Sequence, residues 1–147
     1  MQKTIVKTFR ELSIDELYGI LKLRSEVFVV EQDCVYLDLD DKDQKALHLF
    51  IIKDSIVVGY TRLFNKGDYF LEASIGRVVT HQDYRTFGLG HVLIKNSIKA
   101  IKSHYDTSEI TISAQKYLKR FYESHEFMQV GEEYLEDDIP HIKMKRK

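Results

Sequence analysis

Residues Arg85–Gly90 read RTFGLG and connect a stretch rich in β-branched residues to a stretch with helical apolar spacing. Glycine lacks a Cβ, so the backbone N–H groups at Gly88 and Gly90 can face a ligand that a side chain would exclude. The start of the following helix adds unpaired donors and a partial positive charge. Arg85 adds a cation suited to a phosphate. The segment therefore predicts an anion-binding loop, with an ordinary turn as the alternative.

Two standard phosphate-binding loops do not fit these residues. A Walker A loop requires Gly-Lys-Ser/Thr, whereas Gly90 is followed by His91 and Val92. A dinucleotide-binding loop requires a third glycine at the position of Leu93, and its glycines follow the strand directly. The loop therefore belongs to neither of these types.

The apolar periodicity on both sides of the loop predicts a series of strands and helices. Ser13 and Glu16 form a capping box that begins the first helix, and the pair Asp54-Ser55 suits a tight hairpin turn. The predicted strands are Thr4–Phe9, Ala46–Lys53, Ile56–Phe64, Tyr69–Thr80, Glu109–Ala114, Phe127–Glu132 and Ile139–Lys145, and the predicted helices run from Ser13 to Val29 or Val30, over Leu89–Ser103 and over Gln115–Ser124. The order β-α-β-β-β-α-β-α-β-β predicts an α/β fold of the layered α+β kind, with a mixed, mostly antiparallel sheet flanked by helices.

The composition fits one domain spanning residues 1–147. Hydrophobic residues make up 44% of the chain, enough for a packed core without disulfides or structural metal. The formal net charge of -1 provides no global basic field for nucleic acid. Cys34 is the one cysteine, which excludes an intramolecular disulfide and favours a reducing cytoplasm. No segment has the apolar length of a signal peptide or membrane span, so we expect a cytoplasmic protein without a membrane partner.

The loop and a second motif together resemble the GNAT superfamily of N-acetyltransferases, over nearly the whole chain. Arg85–Gly90, placed after a long strand and before a helix, looks like the superfamily's acyl-CoA pyrophosphate loop. The segment Gln115–Phe127 carries Leu118, Phe121 and Tyr122 at the spacing of the second signature. In that signature an Asn commonly stands where this sequence has its Gln.

Further stretches resemble the ElaA-like subgroup of the same superfamily, and they are Leu23–Gln32, Ala46–Leu49, Ser74–Val79 and Tyr134–Ile142. Two residues depart from the superfamily pattern. Thr86 stands where Gly is common in the loop, and Glu126 stands where a Gly usually precedes the Phe.

The resemblance implies an acyltransferase that moves an acetyl group directly from acetyl-CoA to an amine, and it implies no metal. In this fold the N–H groups of Phe87–Gly90 hold the pyrophosphate, and the main chains of Val78 and Val79 pair with the pantetheine arm. The N–H of Val79 then faces the thioester carbonyl and stabilises negative charge on its oxygen. The cofactor-binding residues that the resemblance carries over are Val78, Val79, Arg85, Thr86, Phe87, Gly88, Leu89, Gly90, Gln115 and Tyr122.

Tyr122 stands at the position of the superfamily's general acid. A phenol has an ordinary pKa of about 10, so it stays protonated at neutral pH and can give its proton to the departing thiolate. Without the resemblance, Tyr122 would be interpreted as completing an aromatic helix face beside Phe121. Gln115, at a strand end, bonds either the cofactor or its own turn.

The acceptor side has no assigned general base. Four side chains with a carboxylate or an imidazole are candidates from their motif contexts, namely Glu31, His48, Glu72 and His141. The expected acceptor-site residues are Arg24, Glu31, His48, Arg77 and His141, with His141 also a catalytic candidate. Strand alternation places Arg77 on the same sheet face as Val79. In the alternative, Arg24 and Arg77 pair with acidic residues inside the fold and His141 only packs.

The acidic run from Asp38 to Asp43 lies in the segment Glu31–Lys45, which is predicted to be a loop or a short irregular helix. It lacks the spacing of a calcium loop, because Lys42 occupies the third ligand position counted from Asp38. We therefore expect a solvated loop whose charge steers a cationic amine toward the cleft.

Two other functions compete with N-acetyl transfer. One is a non-catalytic, regulatory domain that binds acyl-CoA. The other is acyl-homoserine-lactone synthesis, since Arg24-x-x-Val27-Phe28 resembles the start of those synthases, although the short chain without Trp argues against it. The expected partner is a small-molecule or peptide amine; the acceptor's identity, the use of longer acyl groups and a homodimer are left open.

Overall fold

Eight strands form one mixed sheet that carries helices on both of its faces. The computed structural model describes residues 2–147, except for the side chain of Phe87. The strands are β1 Lys3–Thr8, β2 Leu47–Lys53, β3 Ile56–Phe64, β4 Ala73–Thr80, β5 Ile110–Gln115, β6 Met128–Gln129, β7 Tyr134–Glu136 and β8 Ile139–Arg146. The helices are α1 Ile14–Arg24, α2 Leu89–Tyr105 and α3 Lys119–Glu123, with shorter helical turns at Phe9–Glu11, Ser25–Glu31, Asp43–Lys45, Gln82–Phe87 and Lys116–Leu118. This architecture confirms the predicted fold class.

The strand order is β1-β2-β3-β4-β5-β8, and β6 and β7 both pair with the other edge of β8. All neighbours are antiparallel except β4 and β5. These two parallel strands pair only through Ala73 with Ile110 and Ser74 with Thr111. Beyond these residues β4 and β5 are no longer paired, and a cleft lies between them.

Each face of the sheet has its own apolar core. On one face α2 contributes Leu93 and Ile101, both fully buried. There Thr61 of β3 and Ser97 of α2 share a hydrogen bond of 2.7 Å between their hydroxyls. On the opposite face, the core consists of Ile20, Leu23, Val27, Phe50, Tyr60 and Val79. Full burial of one large aliphatic side chain contributes about 1.5–3 kcal/mol, so both helices stabilise the sheet.

Helix α1 begins as predicted and ends in a wider winding. The Glu16 N–H donates to Ser13 Oγ at 3.0 Å, and the Ser13 N–H donates to Glu16 Oε1 at 2.8 Å, which forms the predicted capping box. The winding becomes π-helical over Ser25–Glu31, so helical backbone continues to the predicted end. Phe28 in this π-helical segment lines the cleft.

Two predicted strands near the cleft are shorter than expected. Strand β4 begins at Ala73 rather than Tyr69, because the Gly67 N–H bonds the Phe70 carbonyl at 2.8 Å and prolongs the preceding turn. The strand expected at residues 127–132 is reduced to Met128–Gln129.

Strand β7 was missed by the sequence prediction. It pairs with β8 through a two-residue turn at Asp137 and Asp138, whose φ angles are 51° and 61°. Positive φ at both turn residues is the geometry of a tight hairpin, and Asp tolerates it better than most residues. This β7–β8 hairpin forms one end of the cleft.

Strand β4 contains a β-bulge at Arg77. Tyr60 of β3 pairs with Val79, but Arg62 pairs with Gly76, so the β4 side has one extra residue. The φ of Arg77 is +49°, in the left-handed region that residues other than glycine rarely adopt. Strict alternation does not continue through a bulge, so the predicted basis for placing Arg77 and Val79 on one face is wrong.

The acidic segment is folded into the protein, which corrects the expectation of a solvated loop. Asp43 is 6% exposed and accepts hydrogen bonds from Arg24 Nη1 at 2.8 Å and Arg62 Nη1 at 2.9 Å. Asp38 accepts one from Arg24 Nε at 2.8 Å, and Asp40 accepts two from Arg62 at 2.8 Å. With Arg77, these side chains form the arginine–aspartate cluster, comprising Arg24, Arg62, Arg77, Asp38, Asp40 and Asp43. Its charges cancel, so these carboxylates are not free to steer an amine.

The cluster couples the stability of the fold to pH. Burial alone would raise the pKa of Asp40, but hydrogen bonds and positive charge from Arg62 lower that pKa to about 2. Hydrogen bonds from Arg24 likewise lower the pKa of Asp43 against the effect of its burial. A carboxyl with a lowered folded-state pKa stabilises the fold above its unfolded value, near 3.8. That stabilisation is lost as the pH falls through the folded-state value, so we expect acid unfolding to begin below about pH 4.

Substitution of the shared carboxylate tests the cluster. Asp43→Asn removes a negative charge from between two buried guanidinium groups, and breaking such a buried pair costs about 3–5 kcal/mol in the free energy of unfolding. Asp106→Asn is the control, because the Asp106 side chain is 95% exposed and pairs with Lys102 at the surface. Exposed pairs contribute about 0–1 kcal/mol. Urea denaturation at pH 7 should show a large loss for Asp43→Asn alone; equal losses would contradict a stabilising cluster.

Candidate active site

The cleft begins where β4 and β5 stop pairing. Ile75–Val78 of β4 form one wall, and Ser113–Gln115 of β5 form the other. Tyr122 of α3 lines the same space, together with Glu136 and His141 of the β7–β8 hairpin. The divergence of two parallel strands therefore brings together side chains that are far apart in the sequence.

The predicted anion-binding loop lies at the start of α2. Gly88 has a φ of +65°, in the region that favours glycine, and α2 begins at Leu89. Apart from Gly88 and its immediate chain neighbours, no heavy atom of the described residues lies within 4 Å of the position that a Cβ on Gly88 would occupy. The first N–H groups of an α-helix have no partners inside the helix, so this loop offers donors beside open space. The residues present therefore fit the diphosphate of an acyl-CoA.

Gly90 has a packing role that the sequence argument missed. A Cβ on Gly90 would lie 3.3 Å from the ring of Phe121, which is tight for a side-chain contact. Glycine at this position therefore lets α2 approach α3 closely, independently of any ligand.

Arg85 and Glu31 form an ion pair at the edge of the loop. Arg85 Nη1 and Nη2 donate to the two Glu31 carboxylate oxygens at 2.6 and 2.8 Å. The hydrogen bond from Arg85 is the main reason that the pKa of Glu31 is lowered. Glu31 is not among the residues that line the cleft. The structure thus places Glu31 beside the predicted anion-binding loop, away from the expected acceptor end.

Gln115 lies at the end of β5 and lines the cleft. Its Nε2 donates a hydrogen bond of 3.4 Å to Gln32 Oε1, at the end of the helical segment that follows α1. Its side chain therefore reaches across the cleft mouth and is not folded onto its own turn.

Tyr122 is 5% exposed, and its ring packs edge-on against Phe121 and Phe127 with centroid distances of 5.1 and 5.9 Å. Burial raises the pKa of its phenol, which therefore stays protonated at neutral pH. Among the described residues, the one fully enclosed side-chain polar atom without a hydrogen bond is Arg62 Nε. The Tyr122 hydroxyl also has no hydrogen bond among the described residues, so it is not fully enclosed, and its side chain lines the cleft.

Arg77 satisfies both interpretations that the sequence allowed. Its Nε donates to Asp38 Oδ1 at 2.8 Å and its Nη2 to the Asp38 carbonyl at 3.0 Å, while its guanidinium lies 5.7 Å from the centre of the Tyr36 ring. The Tyr36 hydroxyl donates to the same carboxylate at 2.8 Å. Arg77 also lines the cleft. It is an internally neutralised residue in the cleft wall.

Arg24 and His48 lie away from the cleft, which corrects their assignment to the acceptor side. Arg24 is fully buried in the arginine–aspartate cluster. The ring nitrogens of His48 lie 2.6 Å from the Tyr60 hydroxyl and 2.8 Å from the Asp43 carbonyl. Burial lowers the pKa of His48. Neither nitrogen of His48 is therefore open to an amine.

Glu72 also lies away from the site, near the end where β4 and β5 still pair. Its carboxylate accepts a hydrogen bond from Thr111 Oγ1 at 2.6 Å and one from Lys145 Nζ at 3.3 Å. These bonds, with that from Thr111 the largest cause, lower the pKa of Glu72.

His141 is the one base candidate that lines the cleft. It is 6% exposed and pairs across strands with Gln115. Its Nδ1 lies 2.7 Å from the Ile139 carbonyl, and its Nε2 lies 3.4 Å from Glu136 Oε2. Its ring stacks on Tyr134 with a centroid distance of 6.1 Å.

Sequence reasoning did not assign several residues that line the cleft, among them Cys34, Tyr36, Ser113 and Glu136. Glu136 lies within the stretch Tyr134–Ile142, whose Asp-Asp turn was the available signal for a hairpin. Ser113 and Tyr36 lacked any such signal, because their positions depend on the divergence of β4 from β5 and on the path of the acidic segment.

Within residues 2–147, no group of three or more His, Cys, Asp and Glu side chains is arranged to hold a metal ion. Over the same residues, no helix has the length and apolar character needed to cross a membrane.

Known proteins resemble this chain along nearly its full length. A sequence model of the acetyltransferase (GNAT) domain matches residues 9–147. Protein ElaA of Escherichia coli strain K12 is 37% identical over 139 residues, which cover 93% of this chain and 91% of that protein. The crystal structure of Escherichia coli ElaA superposes with a TM-score of 0.93 at 34% identity, covering 100% of both chains.

Two further structures share the fold. The crystal structure of an acyl-CoA N-acyltransferase from Pseudomonas aeruginosa has a TM-score of 0.93 and 38% identity, covering 99% of both chains. A CoA-dependent acyl-homoserine lactone synthase, BjaI, has a TM-score of 0.80 at 15% identity, covering 99% of this chain and 82% of that one. At that identity the likeness to BjaI extends to the fold alone. The chain therefore belongs to the acetyltransferase (GNAT) family, and it is an acyltransferase similar to ElaA.

Proposed function

We propose that this protein is an N-acetyltransferase that uses acetyl-CoA as its acyl donor and an amine as its acceptor. The observation that carries the proposal is Tyr122, whose side chain lines the cleft between the diverging strands and whose hydroxyl has no hydrogen bond among the described residues. A phenol in that position is suited to protonate a leaving group.

The cofactor residues form two groups in this proposal. The N–H groups from Phe87 to Gly90 bind the pyrophosphate, with Thr86 and Leu89 framing the loop. The main chains of Val78 and Val79 bind the pantetheine arm, since within residues 2–147 no strand pairs with β4 on that side beyond Ser74. Acetyl-CoA supplies a thioester whose acyl group is activated for attack by an amine.

Two groups of this chain act on the reacting atoms: one stabilises negative charge on the thioester oxygen, and the other protonates the sulfur. The Val79 N–H donates to the thioester oxygen as negative charge develops on it. The Tyr122 hydroxyl gives its proton to the sulfur, and its buried ring keeps that proton in place until then. The Gln115 side chain, which hydrogen-bonds Gln32 in this structure, would instead hydrogen-bond a group of acetyl-CoA.

The non-catalytic alternative predicts binding without turnover. A panel of polyamines, amino acids, an aminoglycoside and a peptide with a free N-terminus, each assayed for thiol release from acetyl-CoA, separates the two functions. Tight CoA binding without thiol release above the buffer rate in any of these would support a regulatory domain.

The loop is tested at Gly88, because Asp at Gly90 would press against Phe121 whether or not a ligand binds. Gly88→Asp places a carboxylate beside the pyrophosphate, and we expect CoA affinity, measured by calorimetry, to fall at least about tenfold. Gly131→Asp is the matched control, because Gly131 also has a positive φ, +80°, and open space at its Cβ position. An equal affinity in the two variants would remove the loop from the CoA site.

The general acid is tested by Tyr122→Phe, which keeps the ring and deletes a hydroxyl without an internal hydrogen bond. Thermal stability and CoA affinity should stay near those of the unchanged protein. The single-turnover rate of acetyl transfer should fall roughly 10²- to 10⁴-fold, the usual contribution of a positioned general acid. Tyr105→Phe, at the far end of α2, is the control and should keep the full rate. A full rate in Tyr122→Phe would assign the proton to another donor.

A further inference from the structure

We infer that His141 is the general base that deprotonates the acceptor amine through Nε2, and that Glu136 positions it and balances its charge. This inference rests on the proposed function. It identifies the group that the sequence left unassigned.

A hydrogen bond fixes the tautomer of His141. The Ile139 carbonyl can only accept, so at 2.7 Å Nδ1 must carry a proton and donate it. In the neutral ring Nε2 is therefore the unprotonated nitrogen, with a lone pair. His141 is 6% exposed but lines the cleft, so an amine bound in the cleft would lie beside this ring.

Glu136 is held where it can stabilise the protonated ring. Its Oε2 lies 3.4 Å from His141 Nε2, and its Oε1 accepts a hydrogen bond of 3.1 Å from Ser113 Oγ. The Tyr134 hydroxyl hydrogen-bonds Ser113 Oγ in turn. When Nε2 takes up a proton it becomes a donor, and the neighbouring carboxylate then favours the cation.

Among the charged and titratable groups around His141, Glu136 is the one that lies within ion-pair distance of its ring. The hairpin also presents Asp137 and the Tyr134 phenol, and α3 presents the neutral Tyr122 phenol. Across the cleft, β4 presents Arg77, whose charge is balanced by Asp38. The remaining groups lining the cleft on this side are the Cys34 thiol and the Tyr36 phenol, on the acidic segment.

In the proposed reaction the ammonium nitrogen loses two protons, one to His141 and one to Tyr122. An N–H bond of the ammonium breaks, its proton goes to His141 Nε2, and the freed electron pair forms the C–N bond. The C–S bond breaks, and the sulfur leaves with the proton of Tyr122. The nitrogen's second proton replaces the one that Tyr122 gave, and His141 releases its proton to solvent.

His141→Asn tests the inference with little change in packing, because the Asn amide can still donate to the Ile139 carbonyl while Nε2 is lost. The probe is whichever amine of the panel the unchanged protein acetylates at the highest rate. We expect the single-turnover rate at pH 7 to fall roughly 10²- to 10⁴-fold, with CoA affinity and melting temperature unchanged. The remaining rate should rise with pH without a plateau, as hydroxide replaces the base. The exposed His104 provides the control His104→Asn, which should keep the full rate and plateau.

Two further variants separate catalysis from packing. Glu136→Gln removes the charge that balances the imidazolium, so kcat should fall with an unchanged KM for the amine and an unchanged melting temperature, whereas a packing role would lower the melting temperature and leave kcat in place. His141→Ala should recover rate when imidazole is added, even if the variant is less stable.

Each remaining outcome has one meaning. If the unchanged protein acetylates no amine of the panel, the proposed function fails and this inference fails with it. If the unchanged protein is active and His141→Asn keeps its rate and plateau, only the inference is overturned. A folded His141→Ala that imidazole does not rescue would also overturn it.

Discussion

The site depends on one constraint, which is the short pairing of two parallel strands. β4 and β5 share only the pairs from Ala73 and Ser74, although both strands continue toward the cleft. Backbone N–H and C=O groups beyond that point have lost a strand partner on one side, and buried backbone groups need one. The fold therefore has a gap between β4 and β5 that is lined by backbone polar groups. Such a gap suits an extended ligand that carries amide groups.

The arginine–aspartate cluster and the bulge together fix the shape of one wall. The bulge gives Arg77 a left-handed backbone and breaks the alternation of β4. Its guanidinium then reaches Asp38, which Arg24 of α1 also binds. The acidic segment is thus tied to both α1 and β4. A strained backbone of this kind persists only where the surroundings over-determine it, and ion pairs on each side of Asp38 do so here.

Local chemistry was predictable from the sequence, whereas long-range pairing was not. The Ser13 capping box and the Asp54-Ser55 turn depend on neighbouring residues, and both were predicted correctly. The burial of Asp38 depends on Arg77, which is 39 residues away, and no spacing rule connects them. For the same reason the acidic segment was expected to be solvated. The loop and Tyr122 could be assigned only through resemblance, since two glycines or one tyrosine are also ordinary structural residues.

The edge of the loop shows how the free protein can remain ready to bind an anion. Arg85 is paired with Glu31, and both side chains are partly exposed, at 40% and 31%. Exposed pairs of this kind contribute only about 0–1 kcal/mol, since water and salt screen them. A diphosphate at the start of α2 carries more charge than one carboxylate, and it would compete with Glu31 for the guanidinium at small cost. Under the proposed function, the pair would keep Arg85 oriented beside the loop until the diphosphate replaces Glu31.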